Sequence, residues 1–309
     1  MKKFMIMVTV LLFTLTGCGK SRTDTAQGEE LTVVTSFYPI YLMAQYVTEG
    51  AEGIVLENMA QPQTGCLHDY ELTTEDMKLL ERSDVFFMNG LGMESFLDQA
   101  REQNPQLYIV ETGEHASVLL EGECEHDHAH GEEEEDPVNA HVWLHPENAI
   151  LQAEAMRDAL SQLDPKNAQL YEDNTKAFAA EMEKIRKEAE ALAAEAPEVK
   201  TAAFHEGFIY LEDLLGMEEV IGIFPEENQT PSAKEMAEAV EEAKEKGVDL
   251  ILTAEDAGEQ YARLLSEETG TAVVVLNPLT SGNGDKTEFV DGMRANLEAV
   301  AQAYRGVTE

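Results

Sequence analysis

The chain has 309 residues, enough for two domains that each bury a core. Its 61 acidic residues against 21 basic ones give a formal net charge of -40, spread along most of its length. Such a balance excludes nucleic acid as a partner, because phosphate binding needs clustered Lys and Arg, and it makes cations the natural ligands of the field.

The chain opens with Met1-Lys2-Lys3, an apolar run over 4–15, and Thr16-Gly17-Cys18. This pattern reads as a secretory signal peptide over 1–17, since the run is shorter than the roughly 20 apolar residues a membrane span needs. Leu15-Thr16-Gly17-Cys18 looks like a bacterial lipobox, in which Cys18 becomes the lipidated first residue of the mature protein. Residues 18–30 then form a polar tether, and acyl chains at about 0.8 kcal/mol per buried CH₂ hold the protein to membrane lipid. The expected location is the outer face of the bacterial cytoplasmic membrane. Cys66 and Cys124 are the remaining cysteines. They can pair as a disulfide in an oxidising compartment or stand as free thiols, and the Cα separation that decides this is not legible in sequence.

Short β-branched runs at 31–35, 53–59, 85–89 and 107–111 read as buried strands. Residues 38–48, 73–82 and 93–102 carry helical spacing, and Thr73/Thr74 ahead of Asp76 resembles an N-cap. The alternation of strand and helix implies a mainly parallel sheet, assigned to a first lobe over 31–163. Inside it, 114–138 is acidic and low in complexity, cannot contribute to a core, and reads as a loop.

A helix is expected over 146–163, and Asp164-Pro165 opens a second, linking helix over 164–197 with Pro in its first turn. About 30 residues at 1.5 Å each make a rod of roughly 45 Å, long enough to cross a domain. A second series follows over 198–309, with strands at 201–204, 220–224, 249–253 and 272–276 and helices at 207–215, 232–246, 259–269 and 286–304. The expected fold is therefore α/β: two lobes, each a mainly parallel four-stranded sheet flanked by helices, joined by one long helix. Ligands of open α/β sheets sit beyond the carboxyl ends of the strands, so the site is expected in the cleft between lobes.

Three histidines fall just past strand ends: His68 after the second strand, His141 where the chain resumes after the acidic loop, and His205 at the end of the first strand of the second lobe. One such histidine alone is more often structural. Three imidazoles with a fourth open or oxygen position are a familiar zinc arrangement. His126, His128 and His130 alternate with Asp127 and Ala129 in the acidic loop and form a possible auxiliary metal site. Ordering so polar a segment costs about 1–2 kcal/mol per residue, so its binding is expected to be weak.

At these segments the chain resembles the metal-specific solute-binding proteins of ABC transporters, the zinc and manganese receptor lipoproteins. The resemblance is carried by His68-Asp69-Tyr70-Glu71, by the stretch from Asn89 to Glu94, by His141-Val142-Trp143-Leu144, by Phe204-His205-Glu206-Gly207-Phe208 and by Leu276-Asn277-Pro278-Leu279, in the same order over nearly the whole mature chain. It implies a lobe–helix–lobe fold braced by the long helix, ligands at His68, His141 and His205, and delivery of the ion to a membrane permease; a monomer is expected. Manganese members carry a carboxylate at the third ligand position, so His205 favours zinc. Zinc relatives often place Glu or Asp shortly after Asn-Pro-Leu, where this chain has Thr280-Ser281. The fourth position stays open between water, Asp285 and Glu255.

The alternatives are a manganese receptor of the same transporter class, a lipid-anchored adhesin and, least favoured, a zinc hydrolase with Glu206 as general base. No His-Glu-x-x-His or Gly-x-Ser-x-Gly spacing occurs, so no enzyme is expected.

Overall fold

The computed structural model describes residues 30–60, 70–120, 138–195, 198–224, 231–255 and 257–308. The first sheet consists of β1 (Leu31–Thr35), β2 (Ile54–Asn58), β3 (Val85–Met88) and β4 (Ile109–Glu111), and α1 (Tyr38–Thr48), α2 (Thr74–Glu81) and α3 (Leu97–Gln103) alternate with its strands. Next come α4 (Pro146–Leu163) and the long α5 (Ala168–Glu195). The second sheet consists of β5 (Lys200–Ala203), β6 (Glu218–Gly222), β7 (Leu250–Ala254) and β8 (Ala272–Leu276), with α6 (Ile209–Leu215), α7 (Ala233–Lys246) and α8 (Ala257–Thr269) between them and α9 (Thr287–Thr308) closing the chain.

The two sheets share one topology. Their orders are β2-β1-β3-β4 and β6-β5-β7-β8, and every strand pairing is parallel. In each, the chain steps to one side and then crosses to the other, so β1/β3 and β5/β7 are the switch points where a crevice opens past the carboxyl ends.

Local chemistry sets the boundaries. Thr73 and Asp76 form a reciprocal capping box at α2, as Ser232 and Glu235 do at α7, and Gly247 ends α7 in the left-handed conformation. Two expected elements shift. The helix expected from 93 begins at Leu97 because Gly90, Leu91 and Gly92 all take positive φ and Glu94 turns back onto the strand end, leaving no helical turn there. The strand expected at 220–224 lies at Glu218–Gly222, with the largely buried Glu219 inside it, where a carboxylate reads as a strand breaker.

Helix α5 spans 28 residues, about 42 Å. It begins after a short 3-10 turn at Pro165–Asn167 and packs on α1, α4, α6 and α9. Phe178 on α5 meets Tyr46 of α1 at 5.2 Å and Phe289 of α9 at 5.6 Å between ring centroids. One hydrophobic core therefore runs from Val33 of the first sheet to Tyr304 of α9. A smaller core covers the other face of the second sheet, with Phe204, Met236, Ile251 and Leu265. Among the described residues no helix is long and apolar enough to cross a membrane.

Candidate metal centre

His141 is fully buried and precedes a 3-10 turn, Val142–Leu144. The side-chain oxygen of Asn139 accepts from its backbone N–H at 3.0 Å and lies 3.1 Å from its ring Nδ1. Asn139 cannot be turned over, because its Nδ2 donates to the carbonyl of Glu206 at 3.0 Å. An acceptor at Nδ1 requires the proton there, which leaves the lone pair on Nε2. That nitrogen lies 3.7 Å from Oε1 of Glu206.

His205 comes from the second lobe. It caps the 3-10 turn Glu206–Phe208, its Nδ1 accepting from the Gly207 N–H at 3.1 Å. Its ring stands edge-on to that of His141 with centroids 5.2 Å apart and lies beside Phe208 at 4.9 Å. With Nδ1 accepting, the neutral ring carries its proton on Nε2; a cation taken there moves that proton at the expense of the Gly207 bond.

A buried polar network supports this pair. The Asn89 carboxamide donates to the carbonyl of Ala140 at 2.9 Å, directly before His141, and accepts from Gln152 at 2.9 Å, which also donates to Thr112. Asn89 is fixed by Glu94, whose carboxyl accepts from the N–H groups of Asn89 and Gly90 and from the Ser36 hydroxyl at 2.8–2.9 Å. Burial pushes the Glu94 carboxyl up to about 7 against the pull of those donors. From the other lobe, the Tyr210 hydroxyl donates to the Asn139 carbonyl at 2.6 Å and accepts from the Leu119 N–H at 3.1 Å. The Trp143 indole donates to the Pro278 carbonyl at 2.9 Å.

The loop after β8 is held down along its length. Asn277 exchanges two hydrogen bonds with Asn296, Leu279 takes a positive φ, and Tyr38 accepts from the Gly284 N–H at 2.7 Å and donates to Glu288. Asp285, a candidate fourth ligand, is exposed and accepts from the Thr287 N–H at 3.0 Å at the start of α9. Glu255, the other candidate, is exposed beyond β7. His145 caps α4 through its Nδ1, and burial lowers its pKa; that role is structural.

His68 and the loop histidines His126, His128 and His130 lie outside the described residues, as do Cys18, Cys66 and Cys124. Just past His68, the Tyr70 hydroxyl bonds Asp76 at 3.0 Å and its ring lies 5.7 Å from Phe96. Among the described residues no three His, Cys, Asp or Glu side chains form a group able to hold a metal ion. They bring together two imidazoles from opposite lobes and one carboxylate. The sequence reading missed Asn139 and Gly207 as supports; an Asn two residues before a histidine is an Asx-turn signal that could have found the first.

Residues 33–303 match the family model described as zinc-uptake complex component A, periplasmic. The chain is 29% identical over 312 residues to the high-affinity zinc uptake system protein ZnuA of Bacillus subtilis, covering 96% of this chain and 95% of that protein. It is 30% identical over 319 residues to the zinc-binding lipoprotein AdcA of Streptococcus pneumoniae, covering 98% of this chain but only 61% of that longer protein. Among solved structures, the solute-binding protein FpvC of Pseudomonas aeruginosa in complex with Mn²⁺ superposes with a TM-score of 0.78 at 22% identity, over 90% of this chain and 99% of that one, and shares the fold.

Proposed function

This chain belongs to the family of periplasmic zinc-uptake complex component A, and on that premise we propose that it captures zinc through His68, His141 and His205 and hands the ion to the membrane permease of an ABC transporter. The observation that carries this reading is the meeting of His141 and His205 between the lobes, with the Nε2 of His141 held free of its proton by Asn139. Zn²⁺ takes neutral imidazole nitrogen at about 2.0–2.1 Å, and zinc is here the cargo rather than a resident cofactor. Family membership also argues against catalysis: the chain is a solute-binding component, not an enzyme.

Selectivity for zinc over manganese follows from imidazole at position 205, a softer donor than a carboxylate. Calorimetric titration of a soluble form beginning at Gly19, with zinc and then manganese, tests this. One tight zinc site with weaker manganese binding supports it; no tight site, or a preference for manganese, refutes it.

The Cys18 reading makes the protein a lipoprotein on the outer membrane face, acting as a monomer. Membrane fractionation with mass spectrometry of the N-terminus tests it; a Cys18→Ser chain that stays with the membrane refutes it. His126, His128 and His130 would gather zinc without forming the main site, so deleting 121–136 should leave the tight site nearly unchanged.

A further inference from the structure

Two acids meet where α6 lies against the β5–β6 edge of the second sheet. Glu212 of α6 is 2% exposed, and Glu219 stands in β6 opposite Thr201 of β5. Oε2 of each is buried and faces no donor. We propose that Glu212 and Glu219 hold one proton between them, and that this proton fastens the edge strand β6 to α6 as a pH-sensitive clasp.

The contacts of the two carboxyls leave room for little else. The Thr201 hydroxyl donates to Oε1 of Glu212 at 2.5 Å, which settles one of its oxygens. Oε1 of Glu219 turns back along its own strand, 3.0 Å from where a Cβ on Gly222 would stand. What acts on each carboxyl is burial, the other carboxyl and, at Glu212, the Thr201 hydroxyl, with no positive charge among them. The cations of the surrounding elements are engaged elsewhere. Lys200 of β5 donates to the Lys246 carbonyl at 3.3 Å, and Lys246 of α7 donates to the Val220 carbonyl at 2.8 Å and pairs with Glu242. On α5, Lys184, Arg186 and Lys187 pair with acids of α5 itself and with Glu147. Asp213 and Glu218, the remaining acids of α6 and β6, are exposed, as are the charges of α7 apart from Glu242.

Two buried carboxylates with no cation between them cannot both ionise, and a proton on one aimed at the other satisfies both free oxygens at once. Glu219 carries it, since burial and the Glu212 charge push that carboxyl up to about 9, while Glu212 accepts from Glu219 and Thr201 together. The clasp sits where the ladder is weakest: β6 bonds only β5 in the sheet order, and their register breaks between Thr201 and Ala202, beside the Thr201–Glu219 pair. Opening it brings Glu219 into water, where its ordinary value is 4.5, and releases the proton to solvent. The closed form is therefore favoured in full below about 4.5 and loses that advantage progressively up to about 9. Because β5 runs into the His205 turn and α6 runs out of it, the second lobe is tighter around that turn in acid than in mildly alkaline surroundings.

The test is hydrogen exchange read by mass spectrometry on a soluble form beginning at Gly19, wild type against Glu219→Gln, with rates corrected for the intrinsic pH dependence of amide exchange. In wild type the protection of Glu218–Gly222 should fall about 10-fold per pH unit between about pH 6 and 8, one proton leaving per opening. In Glu219→Gln, whose amide N–H replaces the proton permanently, protection should hold level. Wild-type protection that ignores pH, or that falls equally in Glu219→Gln, overturns the clasp, and the wild-type slope decides even if the variant does not fold. A fall near 100-fold per unit means a proton on each carboxyl and overturns the sharing. Protection restored at the alkaline end by millimolar Ca²⁺ makes a metal cation the occupant and overturns the proton.

Discussion

Gly207 stands against the imidazole of His141: a Cβ built on it would lie 2.8 Å from both Cγ and Cδ2 of that ring. Side-chain carbons do not approach so closely, so any larger residue must push the ring off its bond to Asn139. Gly207→Ala should therefore weaken zinc by about 10–100-fold, the range seen when a ligand loses its support. Overpacking of this kind costs about 1–3 kcal/mol. Zinc affinity and urea denaturation of the variant measure the two effects separately; unchanged affinity would show that the ring position does not matter.

Trp143 is the one tryptophan of the chain, and its ring centroid lies 5.0 Å from that of His141. Its fluorescence should therefore report zinc directly, with a change in emission on titration that disappears in His141→Ala. The indole also ties the lobes through the Pro278 carbonyl and meets Phe37 edge-on at 5.2 Å. Trp143→Phe should cost about 1–2 kcal/mol through the lost bond, and Trp143→Ala about 3–5 kcal/mol through the cavity, both read in urea.

Glu94 collects three donors in a fully buried site. Glu94→Ala leaves the N–H groups of Asn89 and Gly90 without a partner, at about 1–3 kcal/mol, and loosens Asn89 from Ala140. Stability should drop, and zinc affinity should fall with it. A variant that loses stability but binds zinc normally would mean that the network stops short of His141.

Glu212 on α6 and Glu219 on β6 lie close enough to act on one another, and each keeps a buried oxygen with no donor facing it. Thr201 serves the other oxygen of Glu212 at 2.5 Å. Burial, reinforced by the Glu212 charge, pushes Glu219 up to about 9, and burial raises Glu212 as well. A carboxyl raised on folding stabilises the protein most below its unfolded value, near 4.5, and that contribution is lost as pH rises through about 9. Glu219→Gln, which supplies a permanent N–H donor to Glu212, should flatten the decline of melting temperature between pH 5 and 9 relative to wild type. Parallel profiles would show that no proton is shared.

Much of this molecule is written locally. The bounds of α1, the Thr73–Asp76 cap and the place of His205 just past β5 follow from short-range pattern and motif order, whereas His141 does not end a strand: it stands between a single bridge residue, Val138, and a 3-10 turn. Contacts over long sequence separations are not legible that way. Nothing near Trp143 announces Pro278, 135 residues on, and nothing near Asn139 announces the Tyr210 hydroxyl, 71 residues on. Glu206 suggested only a general base until its distance to Nε2 gave it a neighbour. Glu219 misled in the other direction, since a carboxyl that holds its proton behaves as a polar but neutral strand residue.

The same long-range ties govern how the protein can be built. Tyr38, in the first helix, reaches Glu288 across 250 residues, and Gln45 reaches Gly284 across 239. Loop closure over such spans is slow, so the first lobe cannot complete its packing until the last helix exists. Until residues 287–308 are made, the faces of α1 and α5 that pack on α9 stay uncovered.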